Sequence, residues 1–372
     1  MKPRYLFVDD EIGAATTALL HGFNDVGIIE VESLSIERKE TFDSINEKIK
    51  KELKENRYDG VLLDLCLDGT GANSLNFKAP ILAQQIRSLS SGSVIPHIPV
   101  SLCSTIDKVD IYKKDSASHD LFDYYFNKTE INYQKECQRL YSLAEGYQTL
   151  NKNDISVEDI LGRKDLDTLD DKVVDYMAGR TKSSYDISQC IIKDMISYSS
   201  VIIKEDVVAA RMGVDQNESK EAWKNLIEAI SADTCYQGVF ASGWKRYWAD
   251  KVNTFFIQLS NGEPYQVLTA SERVDILINA GFKGLVPARP IQFNNSTYYN
   301  TICECCKRPI DSMEGIPIED AMRLKPWQEN HYVSFYMVAK GDYKEECLVE
   351  AGRKKFNGLK ERFENEQQAK NK

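Results

Sequence analysis

Asp9 and Asp10 close the apolar run Arg4-Tyr5-Leu6-Phe7-Val8, and Asp64 closes Gly60-Val61-Leu62-Leu63. Ser104 and Thr105 follow Ile98-Pro99-Val100-Ser101-Leu102-Cys103, and Lys128 follows Asp123-Tyr124-Tyr125-Phe126-Asn127. Short apolar runs bounded by Gly or polar residues read as buried strands of a parallel sheet. In an open α/β sheet, ligands lie in the crevice at the carboxyl ends of the strands. If these strands are parallel and adjacent, three carboxylates, a hydroxyl and an ammonium converge there. Three carboxylates in one crevice repel each other unless a divalent cation sits among them. A set of hard oxygens suits Mg²⁺.

The segments between these runs supply the scaffold. A first helix is expected over 12–21, a second strand over 28–32, and a helix over 41–55 with Phe42, Ile45, Ile49 and Leu53 on one face. Residues 68–80 are rich in Gly, Asn and Ser and read as an inserted loop rather than a lid. Pro80 starts a helix to about 88, strands follow at 98–103 and 122–127, and a helix over 131–150 closes the set. This alternation predicts an α/β fold, a doubly wound parallel five-stranded sheet, over residues 1–150. The polar turn Asn151-Lys152-Asn153-Asp154 is the expected boundary. Residues 156–350 read as a mostly helical domain with some strand, with helices at 156–178, 185–200, 204–231, 243–260 and 270–280 and a strand at 332–338. Residues 351–372 read as a charged tail.

The order Asp-Asp, Asp, Ser/Thr, Lys at successive strand ends resembles the receiver domain of bacterial two-component response regulators. The resemblance covers about the first 145 residues. It implies that Asp9 and Asp10, with Asp64, hold Mg²⁺ and that Asp64 is the phospho-acceptor. It places Ser104 at the switch hydroxyl, Tyr125 at the rotating aromatic and Lys128 at the phosphate-pairing lysine. It departs from the family pattern in three places: no Pro follows Asp64 closely, Thr129 stands where a Pro is usual after the lysine, and Thr105 stands where a smaller residue is usual.

Composition narrows the partners. Lys+Arg number 47 against 57 Asp+Glu, a net charge of −10 over 372 residues. Such a chain is a poor binder of phosphate backbones as a whole, and its length suggests two domains. No apolar run reaches membrane-spanning length. Nine irregularly spaced cysteines without an export signal read as reduced thiols in a cytoplasmic protein.

Two motifs in the second half bear on output. Val207-Val208-Ala209-Ala210-Arg211-Met212-Gly213-Val214-Asp215 resembles the first helix and turn of a helix-turn-helix spanning 205–228. Its second helix, Asn217 to Lys224, is not basic, and Ser219 falls where a buried aliphatic is usual. Cys303-Glu304-Cys305-Cys306 contains half a zinc knuckle; His331 and Cys347 are the downstream candidates to complete a Zn²⁺ set with Cys303 and Cys306. The aromatic stretch Trp244-Lys245-Arg246-Tyr247-Trp248 reads as core. No P-loop, HExxH or GxSxG is present, and no enzymatic output is recognised. The expectation is therefore a regulator that accepts a phosphoryl group from a sensor histidine kinase or phosphotransfer protein. That step switches a C-terminal interaction module, with homodimerisation admitted. The competing readings are a DNA-binding transcription regulator and a receiver that absorbs phosphoryl groups in a defence phosphorelay.

Overall fold

The computed structural model describes residues 2–9, 13–34, 40–55, 57–65, 67, 78–105, 121–152, 154–180 and 183–370, with side chains to 363. Asp10, Asp68 and most of the 68–80 loop therefore lie outside the described residues. The chain divides into two compact units. The first takes in residues 1–164, 175–192 and 237–244; the second takes in 165–174, 193–236 and 245–372.

The first unit is built on β1 (Arg4–Val8), α1 (Ala14–Val26), β2 (Glu30–Ser33), α2 (Phe42–Glu55), β3 (Gly60–Leu63), α3 (Ala79–Ser91), β4 (Val100–Ser104), β5 (Tyr124–Asn127) and α4 (Tyr133–Leu150). The five strands form one parallel sheet in the order β2-β1-β3-β4-β5. This is the flavodoxin-like, receiver-type order, and the fold expected from the sequence is the one observed. Leu6, Val8, Val61, Leu63, Val100 and Leu102 share one core with Ile45, Ile49 and Leu53 of α2 and Leu82 and Ile86 of α3. On the opposite face, Phe23 of α1 meets Phe126 edge-on at 5.9 Å, and the Tyr5 hydroxyl donates to Leu140 O of α4 at 2.6 Å. Burial on both faces explains why these strands read as unbroken apolar runs.

Gly60 lies under the Tyr5 ring. A Cβ there would come within 2.2 Å of Tyr5 Cε1, and Tyr5 is fully buried. Gly60→Ala is therefore expected to destabilise the first unit by about 1–3 kcal/mol through overpacking. The urea midpoint measures it; an unchanged midpoint would show that the ring yields freely.

Beyond α4 the chain is mostly helical with short strands, also as expected, but the elements are shorter than the sequence suggests. The expected helix 156–178 is broken into α5 (Val157–Leu161), a 3₁₀ turn (Leu166–Thr168) and α6 (Asp171–Ala178). Gly162 ends α5 in the left-handed region at φ 65°, packed against the backbone of Gln237 and Gly238, where no Cβ fits. The expected helix 185–200 is α7 (Ser184–Gln189) continued as a π-turn over Cys190–Ile196.

In the second unit, β6 (Ile202–Ile203) precedes α8 (Glu205–Met212) and α9 (Gln216–Thr234), which replace the single expected helix 204–231. β7 (Tyr247–Trp248), α10 (Ala249–Leu259) and α11 (Ala270–Asn279) follow, with α11 opened by a Thr269–Glu272 capping box. Arg273 is fully buried and donates to the carbonyls of Leu268, Ala210, Arg211 and Tyr299, so it closes the end of α8. The remainder comprises the hairpin β8 (Thr301–Ile302) and β9 (Pro309–Ile310), the pair β10 (Ile316–Pro317) and β11 (Tyr332–Val333), α12 (Phe335–Ala339) and α13 (Glu350–Lys370). The expected strand 332–338 stops after Val333. Ser334 takes the Met337 N–H at 3.4 Å and starts a helix instead, a local cap that overrides the β-branched and aromatic composition.

Candidate functional site

Parallel pairing decides where the chemistry lies. Val8 is opposite Leu63, Leu63 is opposite Leu102, and Ser104 is opposite Asn127. Asp9, Asp64, Ser104 and Lys128 are thus delivered to the same carboxyl edge of the sheet. Asp9 and Asp64 are each only 2 % exposed. Lys128 Nζ lies 3.0 Å from Asp64 Oδ1 and 3.9 Å from Asp9 Oδ2. Burial works against the Lys128 ammonium, but Asp64 first and Asp9 next outweigh it and hold its pKa above the ordinary lysine value. Among the described residues, two buried carboxylates face one ammonium, a set of hard oxygens of the kind that a divalent cation fits.

Ser104 is fully buried and its hydroxyl has no hydrogen-bond partner among the described residues. Such a group is costly unless something else satisfies it. Tyr125 lies on the same face of the sheet as Ser104 by register, but is 42 % exposed and stacks against Tyr124 at 6.5 Å. Four of the six sequence-derived receiver residues, Asp9, Asp64, Ser104 and Lys128, therefore share one edge. Tyr125 is outside the pocket, and Asp10 lies outside the described residues.

The four candidate zinc ligands are not brought together in this way. Cys303 and Cys306 meet in the β8–β9 turn. The Cys306 thiol bonds to the Cys303 sulfur, and the N–H groups of Cys306, Ser334 and Cys305 also point at it. Together they hold Cys303 well below the ordinary thiol range against its burial. The Ser334 N–H contact is 3.3 Å. His331 instead stacks on Tyr198, ring centroids 4.9 Å apart, with Nδ1 3.3 Å from Glu319 and Nε2 3.8 Å from Glu304. Cys347 is exposed. Among the described residues, no three His, Cys, Asp or Glu side chains converge as a metal site.

The 205–228 segment does form two helices joined by a turn at Gly213, φ 74°, where an added Cβ would meet Ala270 Cα at 2.7 Å. Ser219 is buried and accepts the Val286 N–H at 2.9 Å, so a polar residue is satisfied where an aliphatic is usual. The exposed face of α9 carries Glu218, Glu221 and Glu228 against Lys220 and Lys224, a balance that repels phosphates. Trp244, Tyr247 and Trp248 are buried, as expected of core aromatics.

A buried network at the other end of β5 is not apparent in the sequence. Asp123 accepts from Arg87 Nη2 (2.7 Å), Val100 N (2.8 Å), Tyr147 Oη (2.7 Å), Ser188 Oγ (2.8 Å) and Gln189 Nε2 (3.1 Å). The one available signal is an arginine on the otherwise small and apolar face of α3.

No family model and no curated protein matches the chain. Solved structures similar to it include a signal receiver domain from Vibrio parahaemolyticus, 10 % identical over 40 % of this chain and 94 % of that one, TM-score 0.26. A response regulator from Thermotoga maritima is 16 % identical over 39 % of this chain and 99 % of that one, TM-score 0.27. The Mn²⁺-bound form of response regulator Rcp1 is 17 % identical over 41 % and 97 % of the two chains, TM-score 0.23.

Proposed function

We propose that the first unit is the receiver of a response regulator and accepts a phosphoryl group on Asp64. The observation that carries this reading is the Lys128–Asp64 pair at 3.0 Å, delivered to the same sheet edge as Asp9 and the Ser104 hydroxyl, which has no partner among the described residues. The donor is a phosphohistidine of a sensor kinase or phosphotransfer protein. An Asp64 carboxylate oxygen attacks phosphorus, the O–P bond forms as the P–N bond breaks, and the leaving imidazole takes up a proton. Mg²⁺ held by Asp9, Asp10 and Asp64 would neutralise the phosphoryl oxygens.

Lys128 then exchanges its bond to the Asp64 carboxylate for one to the phosphoryl group, and the Ser104 hydroxyl gains its missing partner. Movement of Ser104 makes room for Tyr125 to turn inward, which converts a local charge change into a changed surface at β5. The second unit is the output and acts by binding protein rather than DNA, in the cytoplasm, with the receiver able to dimerise.

The test is incubation of the full chain with radiolabelled acetyl phosphate and Mg²⁺. Acid-stable, base-labile label that disappears with chelator is expected. A chain that takes no label from acetyl phosphate or from any phosphorylated kinase would overturn the reading.

A further inference from the structure

A second concavity lies at the amino ends of the same strands, opposite the edge that carries Asp64. It is a cavity of about 450 Å³. Its walls are the last turn of α2, the 94–98 connection before β4, and the last two turns of α4. Leu53, Ile95, Ile98 and Ala144 line it with buried apolar surface, and the small Ala144 keeps the α4 wall shallow.

Its polar groups are unevenly satisfied. Asp59, the acidic residue in the lining, is already occupied: Oδ2 accepts the Arg4 N–H and Oδ1 accepts Gln148 Nε2, each at 2.9 Å. Lys54 and Arg57 stand exposed at the rim, and no carboxylate pairs with either among the described residues. His97 Nδ1 is closed off from solvent, so this atom is not presented to the cavity. Burial first, and Arg87 next, hold the His97 pKa below the ordinary histidine value, so the ring adds no charge to the wall. A largely apolar cavity with a few polar groups at its mouth is the usual form of a small-molecule site. Two cations at its mouth, paired with no carboxylate among the described residues, make an anion the complementary ligand.

We infer that this cavity binds a small organic anion with an apolar body. The body would lie against Leu53, Ile95 and Ala144, and the anionic group would pair with Lys54 and Arg57. The inference stands independently of phosphoryl transfer at Asp64.

The probe is 8-anilinonaphthalene-1-sulfonate, titrated into the full chain by fluorescence. Saturable single-site binding is expected, weakened at least about tenfold by Lys54→Glu combined with Arg57→Glu. Val94→Glu, which adds a carboxylate at a 39 % exposed position of the lining, should weaken it in the same direction. All three substitutions are at exposed positions, so wild-type thermal midpoints confirm folding. Competition by decanoate identifies a carboxylate ligand and competition by adenosine monophosphate a phosphate ester; either supports the site. Absence of saturable binding, wild-type affinity in the folded charge-reversed variants, or failure of both anions to compete would overturn it.

Discussion

Asp64→Asn is expected to reduce phosphoryl labelling of the full chain to background, whereas Asp68→Asn leaves it at the wild-type level. An amide oxygen is too weak a nucleophile to open the phosphorus–nitrogen or acyl-phosphate bond, and the substitution also removes one of the oxygens that would hold the cation. Both effects act on the same step, so the loss should be complete rather than partial. Beryllofluoride, which mimics the phosphoryl group, should likewise fail to shift the thermal midpoint of Asp64→Asn in the presence of Mg²⁺ while raising that of the wild type. Label that survives in Asp64→Asn and vanishes in Asp68→Asn would place the acceptor on the other carboxylate and dissolve the role given to Lys128.

The second large effect concerns stability. Asp123→Ala should cost about 3–5 kcal/mol, because it strands the Arg87 guanidinium in a buried site without its counter-charge. Arg87 is 6 % exposed and stacks over the Tyr185 ring at 4.0 Å, and its remaining acceptors, Ile98 O and Leu121 O, carry no net charge. Four further donors, the Val100 N–H, Tyr147, Ser188 and Gln189, lose this acceptor at the same time. Arg87→Met combined with Asp123→Ala removes the stranded charge along with its partner. The double variant should therefore fall short of the sum of the two single losses by about 0.5–3 kcal/mol. Urea unfolding of the four proteins decides the point; a loss below about 1 kcal/mol for Asp123→Ala would mean that water reaches the guanidinium. The same variant probes the first unit's extent, since Ser188 and Gln189 come from α7, far along the chain from β5.

The elements with strong periodicity were legible. α2 is read from its apolar spacing to within one residue of its observed start, and the unbroken apolar runs of β1, β3 and β4 declare strands buried on both faces. Helix ends were less legible in the second half. Gly162 and Gly213 end helices in the left-handed region, where another segment's backbone also leaves no room for a Cβ; the turn at Gly213 was legible in the helix-turn-helix pattern, the break at Gly162 was not. Ser334 turns an apparent strand into a helix by capping it. The Asp123 network was silent in the sequence because its members lie at positions 87, 100, 123, 147, 188 and 189, and nothing local relates them.

The primary structure by itself determined the kinds of group at the strand ends and their order: carboxylates, then a hydroxyl, then an ammonium, each placed where an apolar run stops. That follows from burial, since a strand inside a doubly wound sheet can present a charged side chain only at its tip. Tertiary structure alone decided that Lys128 contacts Asp64, that the Ser104 hydroxyl has no partner among the described residues, that Tyr125 is exposed, and that His331 and Cys347 do not join Cys303 and Cys306. It also decided that residues 175–192 and 237–244 belong to the same compact unit as the five-stranded sheet. These are matters of which distant surfaces meet, and the pairing energy of distant surfaces is carried by shape and register rather than by any stretch of neighbouring residues.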